Sequence, residues 1–153
     1  MNLNQNKLNR KNISFMNKKN IDSWIFDLDN TIYPADASLF PRVAERMTSF
    51  IAKNFKLSDE KASLLKTRLF RKYGTTMRGL MEEYSMDPKE FLFYVHEIDL
   101  SDIKFDTELD EGLSKLNGKK YIFTNGTIRH AERILEAFGI RRHFEGLFDI
   151  VSS

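Results

Sequence analysis

The sequence predicts an α/β protein whose parallel β-sheet is interrupted, between its first and second strands, by an inserted all-helical segment. Residues 21–34 contain one short apolar strand, and residues 106–153 alternate helix, strand, helix and strand. Such alternation implies parallel strand pairing with right-handed crossovers. Residues 35–105 show only the helical period of apolar side chains. We therefore expect a core formed by the first two ranges and a helical cap formed by the third.

The first strand ends in two carboxylates. Trp24, Ile25 and Phe26 form an apolar run that is typical of a strand buried on both faces, and Asp27 and Asp29 follow it directly. Carboxylates at the end of a buried strand are costly unless they bind something. Their position therefore indicates a functional site.

The inserted segment carries the start and stop signals of about four helices. Pro41 suits the first turn of the first helix, Ser58 caps the second, and Gly74 ends it. Asp87 and the proline that follows it begin the fourth helix. The third helix should bury the residues that repeat at helical spacing, which are Met77, Leu80, Met81 and Tyr84.

The second part of the core begins with a helix that ends at Asn117-Gly118. The stretch "KKYIFTNG" is a short strand that ends in Thr124, Asn125 and Gly126. A helix follows and stops at Gly139, and "LFDIVSS" predicts one more strand.

Composition excludes several classes of protein. The 153 residues include no cysteine, which excludes disulfides and zinc–thiolate sites. No apolar run approaches the roughly 20 residues that a membrane span needs. Residues 1–20 carry five basic groups and no acid, and they bury too little apolar surface to fold, so we expect a disordered basic tail. A nucleic-acid or targeting arm is the alternative for this tail.

Two polar clusters follow predicted strand ends: Asp27, Asp29 and Thr31 after the first strand, and Thr124, Asn125 and Gly126 after the second. In open parallel sheets, ligands bind beyond the carboxyl ends of the strands. One carboxylate of the first cluster can attack or bind a cation while the other exchanges protons. The second cluster opens a helix, which suits an anion. A carboxylate pair beside an anion site requires a hard cation such as Mg²⁺ between them, so the pattern indicates phosphate chemistry.

These residues also have purely structural uses. Asp27 and Asp29 can serve as turn formers, and Asn125-Gly126 alone is a common turn. A calcium loop is excluded because Ile32 stands where a glycine is required and Ser38 where a bidentate glutamate is required.

The three histidines and one arginine are further candidates for a functional role. His96 falls among core positions of a helix and is interpreted as structural. His130 and His143 lie in basic, exposed-looking surroundings without the spacing of metal ligands. Arg78, within "YGTTMRGL", is a candidate for contact with substrate.

Together these motifs resemble the haloacid dehalogenase (HAD) superfamily of phosphoryl-transfer enzymes. "FDLDNT" resembles its first motif and "IFTNG" its second. "YGTTMRGLM", "VHEIDLS" and "YIFTNGTIRHAERILEAFGI" resemble the pyrimidine 5′-nucleotidase branch, and the resemblance spans residues 23 to about 150. It implies a HAD-like, Rossmannoid parallel-sheet core with an inserted helical cap.

The resemblance also implies a mechanism. Asp27 would attack the phosphate and form an aspartyl-phosphate, supported by Thr31, while Asp29 would protonate the leaving oxygen and then activate water. The side chain of Asp27 and the backbone carbonyl of Asp29 would hold Mg²⁺. The phosphate would bind at Thr124, Asn125 and Gly126, and Arg78 of the cap would face the substrate. Because dehalogenation has no leaving alkoxide to protonate, Asp29 argues against it.

The expected substrate is a small phosphorylated metabolite, such as a nucleoside 5′-monophosphate, and we expect a cytoplasmic protein without membrane or nucleic-acid partners. The third motif of the family, a lysine, and its fourth, an acidic pair, would follow the strand that ends this chain, and Lys119 and Lys120 precede the second motif. We therefore expect a core that is incomplete at the C-terminus, little activity for this chain and a bare edge on the first strand. The alternatives are a catalytically silent phosphate- or nucleotide-binding module and a non-functional fragment.

Overall fold

The computed structural model describes residues 21–33 and 39–150, and the predicted tail at residues 1–20 lies outside them. Three parallel strands form one sheet in the order β1-β2-β3. Their bounds are Ser23–Phe26 for β1, Lys119–Thr124 for β2 and Gly146–Asp149 for β3. The predicted α/β class, with parallel pairing and helices inserted between the first two strands, is confirmed.

In the described part of the chain, six α-helices accompany the sheet, five of them between β1 and β2. They are α1 (Leu39–Phe55), α2 (Asp59–Tyr73), α3 (Thr76–Tyr84), α4 (Pro88–Val95), α5 (Thr107–Ser114) and α6 (Ile128–Ala137), and a short 3₁₀ turn covers Arg141–His143. The predicted end signals operate as expected. Ser58 accepts a hydrogen bond from the backbone of α2, Asp87 does the same for α4, and Gly74 ends α2 with φ at 84°.

The first four helices pack on one another, with α1 against α2 and α4, and α2 against α3. The prediction for the buried face of α3 is wrong in part, because Met81 and Tyr84 are 42% and 40% exposed. The face that α3 buries is formed by Thr76, Gly79 and Leu80. A Cβ atom at Gly79 would lie 2.7 Å from the Cβ of Leu69 in α2, so this glycine is the point of closest approach and sets the rotation of α3.

The sheet is covered on one face. On that face α6 packs against β2 and β3, and Ile122 is fully buried. The side chains of Ile25, Phe123 and Phe148 lie on the opposite face and are 74%, 47% and 52% exposed. The prediction that β1 is buried on both faces is therefore wrong, because Ile25 is exposed. Within residues 21–33 and 39–150, β1 pairs with β2 alone, which agrees with the expected bare edge. No helix in the described part of the chain is long and apolar enough to cross a membrane.

Candidate active site

The turn after β1 places the two carboxylates around a buried anchor. Leu28 is fully buried, and its carbonyl oxygen accepts the backbone N–H groups of Thr31 and Ile32 at 3.3 and 3.0 Å. Asn30 takes a left-handed conformation with φ at 57°, which lets the chain reverse directly after the strand. Asp27 and Asp29, on either side of Leu28, thereby stay at the carboxyl end of β1.

Asp27 is the exposed carboxylate of the pair. The hydroxyl of Thr31 donates to its Oδ2 at 3.0 Å. Its other oxygen has no hydrogen-bond partner among the described residues, so one oxygen of Asp27 is oriented and the other is available.

Asp29 is held more firmly. Its Oδ1 accepts a hydrogen bond from the hydroxyl of Tyr33 and lies 3.2 Å from Nε2 of His130, a residue of α6. Burial would raise the pKa of Asp29, but the hydrogen bonds from His130 and Tyr33 outweigh it and the pKa is lowered. The pKa of Tyr33 is raised far above its ordinary value, first by burial and then by the charge of Asp29. Tyr33 is therefore a donor, and Asp29 is ionised at neutral pH in the absence of ligand.

A stacked pair of imidazoles lies behind Asp29. The rings of His96 and His130 have centroids 4.1 Å apart and planes inclined by 16°. Burial, and after it the neighbouring His130, lowers the pKa of His96 to about 3, so His96 is neutral. The interpretation of His96 as a core residue agrees with its burial, whereas the expectation that His130 is exposed is wrong, since His130 is 1% exposed.

Sequence reasoning missed the contact between His130 and Asp29. These residues are 101 positions apart, and no spacing rule connects them. The sequence does contain one indication that His130 is buried near the site. His130 directly precedes Ala131 on the apolar face of α6, in the first turn of the helix that follows β2.

The turn after β2 closes over the two imidazoles. Thr124 is buried, and its hydroxyl oxygen accepts the backbone N–H of Gly126 at 2.9 Å. A Cβ atom at Gly126 would lie 3.2 Å from Cδ2 of His130 and 3.4 Å from Cε1 of His96. The absence of a side chain at Gly126 permits this close approach. Asn125, between Thr124 and Gly126 in the sequence, is exposed.

Several N–H groups at the start of α6 already have partners inside the chain. Asp149, a buried residue that the sequence reasoning did not single out, accepts the N–H of Ile128 at 3.1 Å. Thr127 accepts the N–H of His130 at 3.1 Å. A phosphate beside this turn would therefore depend on the hydroxyl of Thr124 and the backbone around Asn125 more than on the helix N-terminus itself.

Arg78 lies apart from these groups in the described contacts. Its side chain on α3 is 68% exposed, and its Nε lies 4.0 Å from a carboxylate oxygen of Glu82. Within residues 21–33 and 39–150 it bonds to none of the site residues, so its role towards substrate stays a prediction.

The described part of the chain places no lysine or arginine in contact with either carboxylate. Among the described residues, no lysine or arginine bonds to Asp27 or Asp29. Lys119 and Lys120 stand at the opposite end of β2, roughly 13–17 Å from Thr124 at about 3.3 Å per residue. Lys120 donates to the carbonyl oxygens of the loop before β2, which is a structural use of its charge.

The oxygen atoms at the end of β1 are of the type that binds a hard cation. The carboxylate of Asp27 and the backbone carbonyl of Asp29 are donors that Mg²⁺ accepts, and Mg²⁺ keeps several waters when the protein supplies few ligands. The described residues contain no group of three or more histidine, aspartate or glutamate side chains placed to hold a metal. The donor chemistry therefore fits Mg²⁺ with a partial set of protein ligands.

Comparison with protein-family models gives no match. The chain is 29% identical over 136 residues to "Phosphate metabolism protein 8" of Saccharomyces cerevisiae, a match that covers 81% of this chain and 42% of the yeast protein. It also aligns with the magnesium-bound crystal structure of the HAD-hydrolase YfnB from Bacillus subtilis, with 19% identity and a TM-score of 0.47, over 84% of this chain and 64% of that one.

The chain thus spans about two fifths of the yeast relative and less than two thirds of the bacterial one. At this TM-score the structural match carries no argument of its own. What is established is a chain with parallel α/β topology that is similar in sequence to part of a yeast protein named for phosphate metabolism.

Proposed function

We propose that this chain provides the nucleophile and the acid–base group of a Mg²⁺-dependent phosphomonoester hydrolase of the HAD type. The observation that carries the proposal is the difference between two neighbouring carboxylates at one strand end. Asp27 is exposed and has one free oxygen, while Asp29 is part-buried and fixed by two donors. A reaction that needs a nucleophile beside a proton carrier requires this division of environments.

In the first half of the reaction, a carboxylate oxygen of Asp27 attacks phosphorus and the bond to the ester oxygen breaks. The leaving alkoxide takes a proton from Asp29, and an aspartyl-phosphate remains. In the second half, a water molecule attacks phosphorus while Asp29 takes a proton from that water. The bond between phosphorus and Asp27 breaks, and inorganic phosphate leaves. Because Asp29 is ionised in the absence of ligand, this proton leaves with the product, and Asp29 is protonated again when the next substrate binds.

The lowered pKa of Asp29 keeps it ionised and able to accept a proton from water, although it also makes Asp29 a weaker base. Its role as an acid requires the proton to stay on Asp29 until the ester bond breaks. A bound phosphate dianion supplies the cause, because a neighbouring negative charge raises the pKa of a carboxylate. Substrate binding and protonation of Asp29 are therefore coupled.

Mg²⁺ bound by Asp27 and the carbonyl of Asp29 would neutralise charge between the carboxylates and the phosphate. Thr31 orients Asp27 through the 3.0 Å hydrogen bond to its Oδ2. Thr124 and the backbone at Asn125 and Gly126 would contact the phosphate oxygens.

We propose a nucleoside 5′-monophosphate or a similar small phosphomonoester as substrate, in a cytoplasmic setting without membrane or nucleic-acid partners. The support is the resemblance of residues 23–150 to the pyrimidine 5′-nucleotidase branch and the similarity to a yeast protein named for phosphate metabolism. Arg78 is the proposed cap residue for recognition of the nucleoside.

The test is phosphate release from p-nitrophenyl phosphate and from a panel of nucleoside 5′-monophosphates, with Mg²⁺ and with excess chelator. Asp27→Asn should abolish turnover, because an amide is a poor nucleophile. Asp22→Asn is the matched control, since Asp22 is an exposed carboxylate just before β1. Turnover that survives in Asp27→Asn would refute the assignment of the nucleophile.

A second candidate function is a phosphate- or nucleotide-binding module without catalysis. The observation that favours it is the lack of any described lysine or arginine bonded to Asp27 or Asp29, since one positioned charge is typically worth about 100- to 1,000-fold in rate. Saturable Mg²⁺-dependent binding of a nucleoside monophosphate by the wild-type chain, with no phosphate released, would support this candidate over the hydrolase.

A further inference from the structure

The two oxygens of the Asp29 carboxylate have different surroundings. Oδ1 receives both the hydroxyl of Tyr33 and Nε2 of His130, whereas Oδ2 has no hydrogen-bond partner among the described residues. The side chain of Asp29 is 23% exposed and that of His130 only 1%. One oxygen is therefore held by two donors inside the protein, and the other is left without a partner in the described part of the chain.

The contact with Asp29 also fixes the tautomer of His130. An ionised carboxylate can only accept a hydrogen bond, so Nε2 of His130 carries the hydrogen. Nδ1 of His130 is buried and has no partner among the described residues. A hydrogen on this nitrogen would be buried without an acceptor, which is costly, so the geometry favours the tautomer with the hydrogen on Nε2.

The plane of the His130 ring is set by His96, which belongs to the segment between α4 and the core. The two rings stack with centroids 4.1 Å apart, and Nδ1 of His96 is likewise buried without a partner in the described part of the chain. No polar contact holds either ring at these nitrogens. Besides the contact between Nε2 and Asp29, stacking on His96 is therefore what restrains rotation of the His130 ring.

Arg133 of α6 fastens His96 to the core. Its guanidinium donates to the carbonyl oxygen of His96 at 2.9 Å and to that of Ile98 at 2.8 Å. Helix α6 carries both Arg133 and His130. Through Arg133 it binds the backbone at His96, and through His130 it provides the ring on which His96 stacks. Orientation of Asp29 thus depends on the seating of the inserted helices.

We propose that His130, restrained by the stacked ring of His96, is a positioning residue that holds Oδ1 of Asp29 and presents Oδ2 as the oxygen that exchanges protons with leaving group and water. This inference rests on the proposed function, and it assigns to the inserted helices a direct influence on the acid–base group. His130 does not contact the reacting atoms; it acts through Asp29.

A direct test is the tautomer of His130, read from long-range proton–nitrogen correlation spectra of the nitrogen-15-labelled chain. The wild type should show a single tautomer, with the hydrogen on Nε2. In Asp29→Ala, and to a smaller extent in His96→Leu, the signals should move towards a mixture of tautomers. His143→Gln is the matched control, because His143 makes an equivalent Nε2 contact of 2.5 Å with Asp110 away from the site. An Nδ1–H form in the wild type, or signals that Asp29→Ala leaves unchanged, would overturn the proposal.

Kinetics with p-nitrophenyl phosphate and Mg²⁺ test the consequence for the reaction. In His130→Gln the amide nitrogen can occupy the position of Nε2 and still donate to Asp29, whereas in His130→Asn it lies near the position of Nδ1 and cannot reach. We expect kcat to fall by about 10- to 100-fold in His130→Asn with KM nearly unchanged, as for a misplaced catalytic group. The Gln variant should keep most of the activity, and the His143→Gln control all of it.

Equal losses in the Gln and Asn variants, or a change confined to KM, would overturn the positioning role. A wild-type chain without turnover would instead overturn the proposed hydrolase function, and the spectra would then decide by themselves whether His130 holds Asp29.

Discussion

Replacement of Tyr33 by phenylalanine tests the arrangement around Asp29 with the smallest possible change. Tyr33 is 1% exposed, and its ring stacks on Phe138 with centroids 6.0 Å apart. Phenylalanine keeps that packing and removes one hydroxyl, so the variant isolates the hydrogen bond to Asp29.

The expected cost follows from the surroundings of the carboxylate. A hydrogen bond to a charged group contributes about 1.5–3 kcal/mol. Asp29 keeps His130 as a donor and is 23% exposed, so water can replace part of the lost bond. We therefore expect Tyr33→Phe to lower the free energy of unfolding by about 1.5 kcal/mol at pH 7, the lower end of that range.

The pH dependence adds a second check. Because the pKa of Asp29 is lowered in the folded chain, the stability it contributes is present above the ordinary value of 3.8 and is lost as the pH falls through the lowered value. The deficit of Tyr33→Phe should therefore be full at pH 7 and should shrink as the pH drops below 3.8.

The measurement is urea unfolding followed by circular dichroism at pH 7 and at several values below 4. Tyr121→Phe is the matched control, because the hydroxyl of this half-buried tyrosine in β2 has no partner among the described residues; its change should stay within about 0.5 kcal/mol. A Tyr33→Phe variant as stable as the wild type at pH 7, or one with the same deficit at every pH, would refute the reasoning.

Two further predictions concern the inserted helices. Gly79→Ala should destabilise the chain by about 1–3 kcal/mol in urea unfolding, because the new methyl group would overlap Leu69. Gly112→Ala in α5, with nothing within 4 Å of the new Cβ atom, should instead stabilise the chain by about 0.5–1 kcal/mol. Equal effects of the two changes would contradict the close helix crossing. Hydrogen bonds from Arg68 and Lys72 hold the pKa of Glu83 at about 2, so its contribution to stability should be present above pH 4.5 and lost towards pH 2. Glu83→Gln should flatten the dependence of the free energy of unfolding on pH in this range. An unchanged dependence would contradict this ion-pair cluster.

The features that could be predicted from sequence are those set by near neighbours in the chain. Ser58 and Asp87 cap helices through backbone N–H groups two or three residues away, and Gly74 ends a helix through its own φ. The positions of Asp27 and Thr124 at strand ends followed from the change between strand and helix periods. All of these depend on local stereochemistry, which sequence patterns record.

The features that could not be predicted depend on how elements pack. Met81 and Tyr84 share a helical period with Leu80, but the close approach at Gly79 turns them outward. Burial of Ile25 depends on which elements cover the sheet, and periodicity does not report that. The contact between His130 and Asp29 joins residues of different elements, so neither sequence neighbourhood alone indicates it.

The proposed function depends most on Asp27 as the nucleophile that forms a covalent aspartyl-phosphate. The most direct measurement is borohydride trapping during turnover of p-nitrophenyl phosphate with Mg²⁺, followed by peptide mass spectrometry, because reduction of an aspartyl-phosphate leaves homoserine at the phosphorylated position. We expect homoserine at position 27 only when substrate is present, and none at position 29. Homoserine at Asp29, or release of phosphate without homoserine at either position, would contradict it.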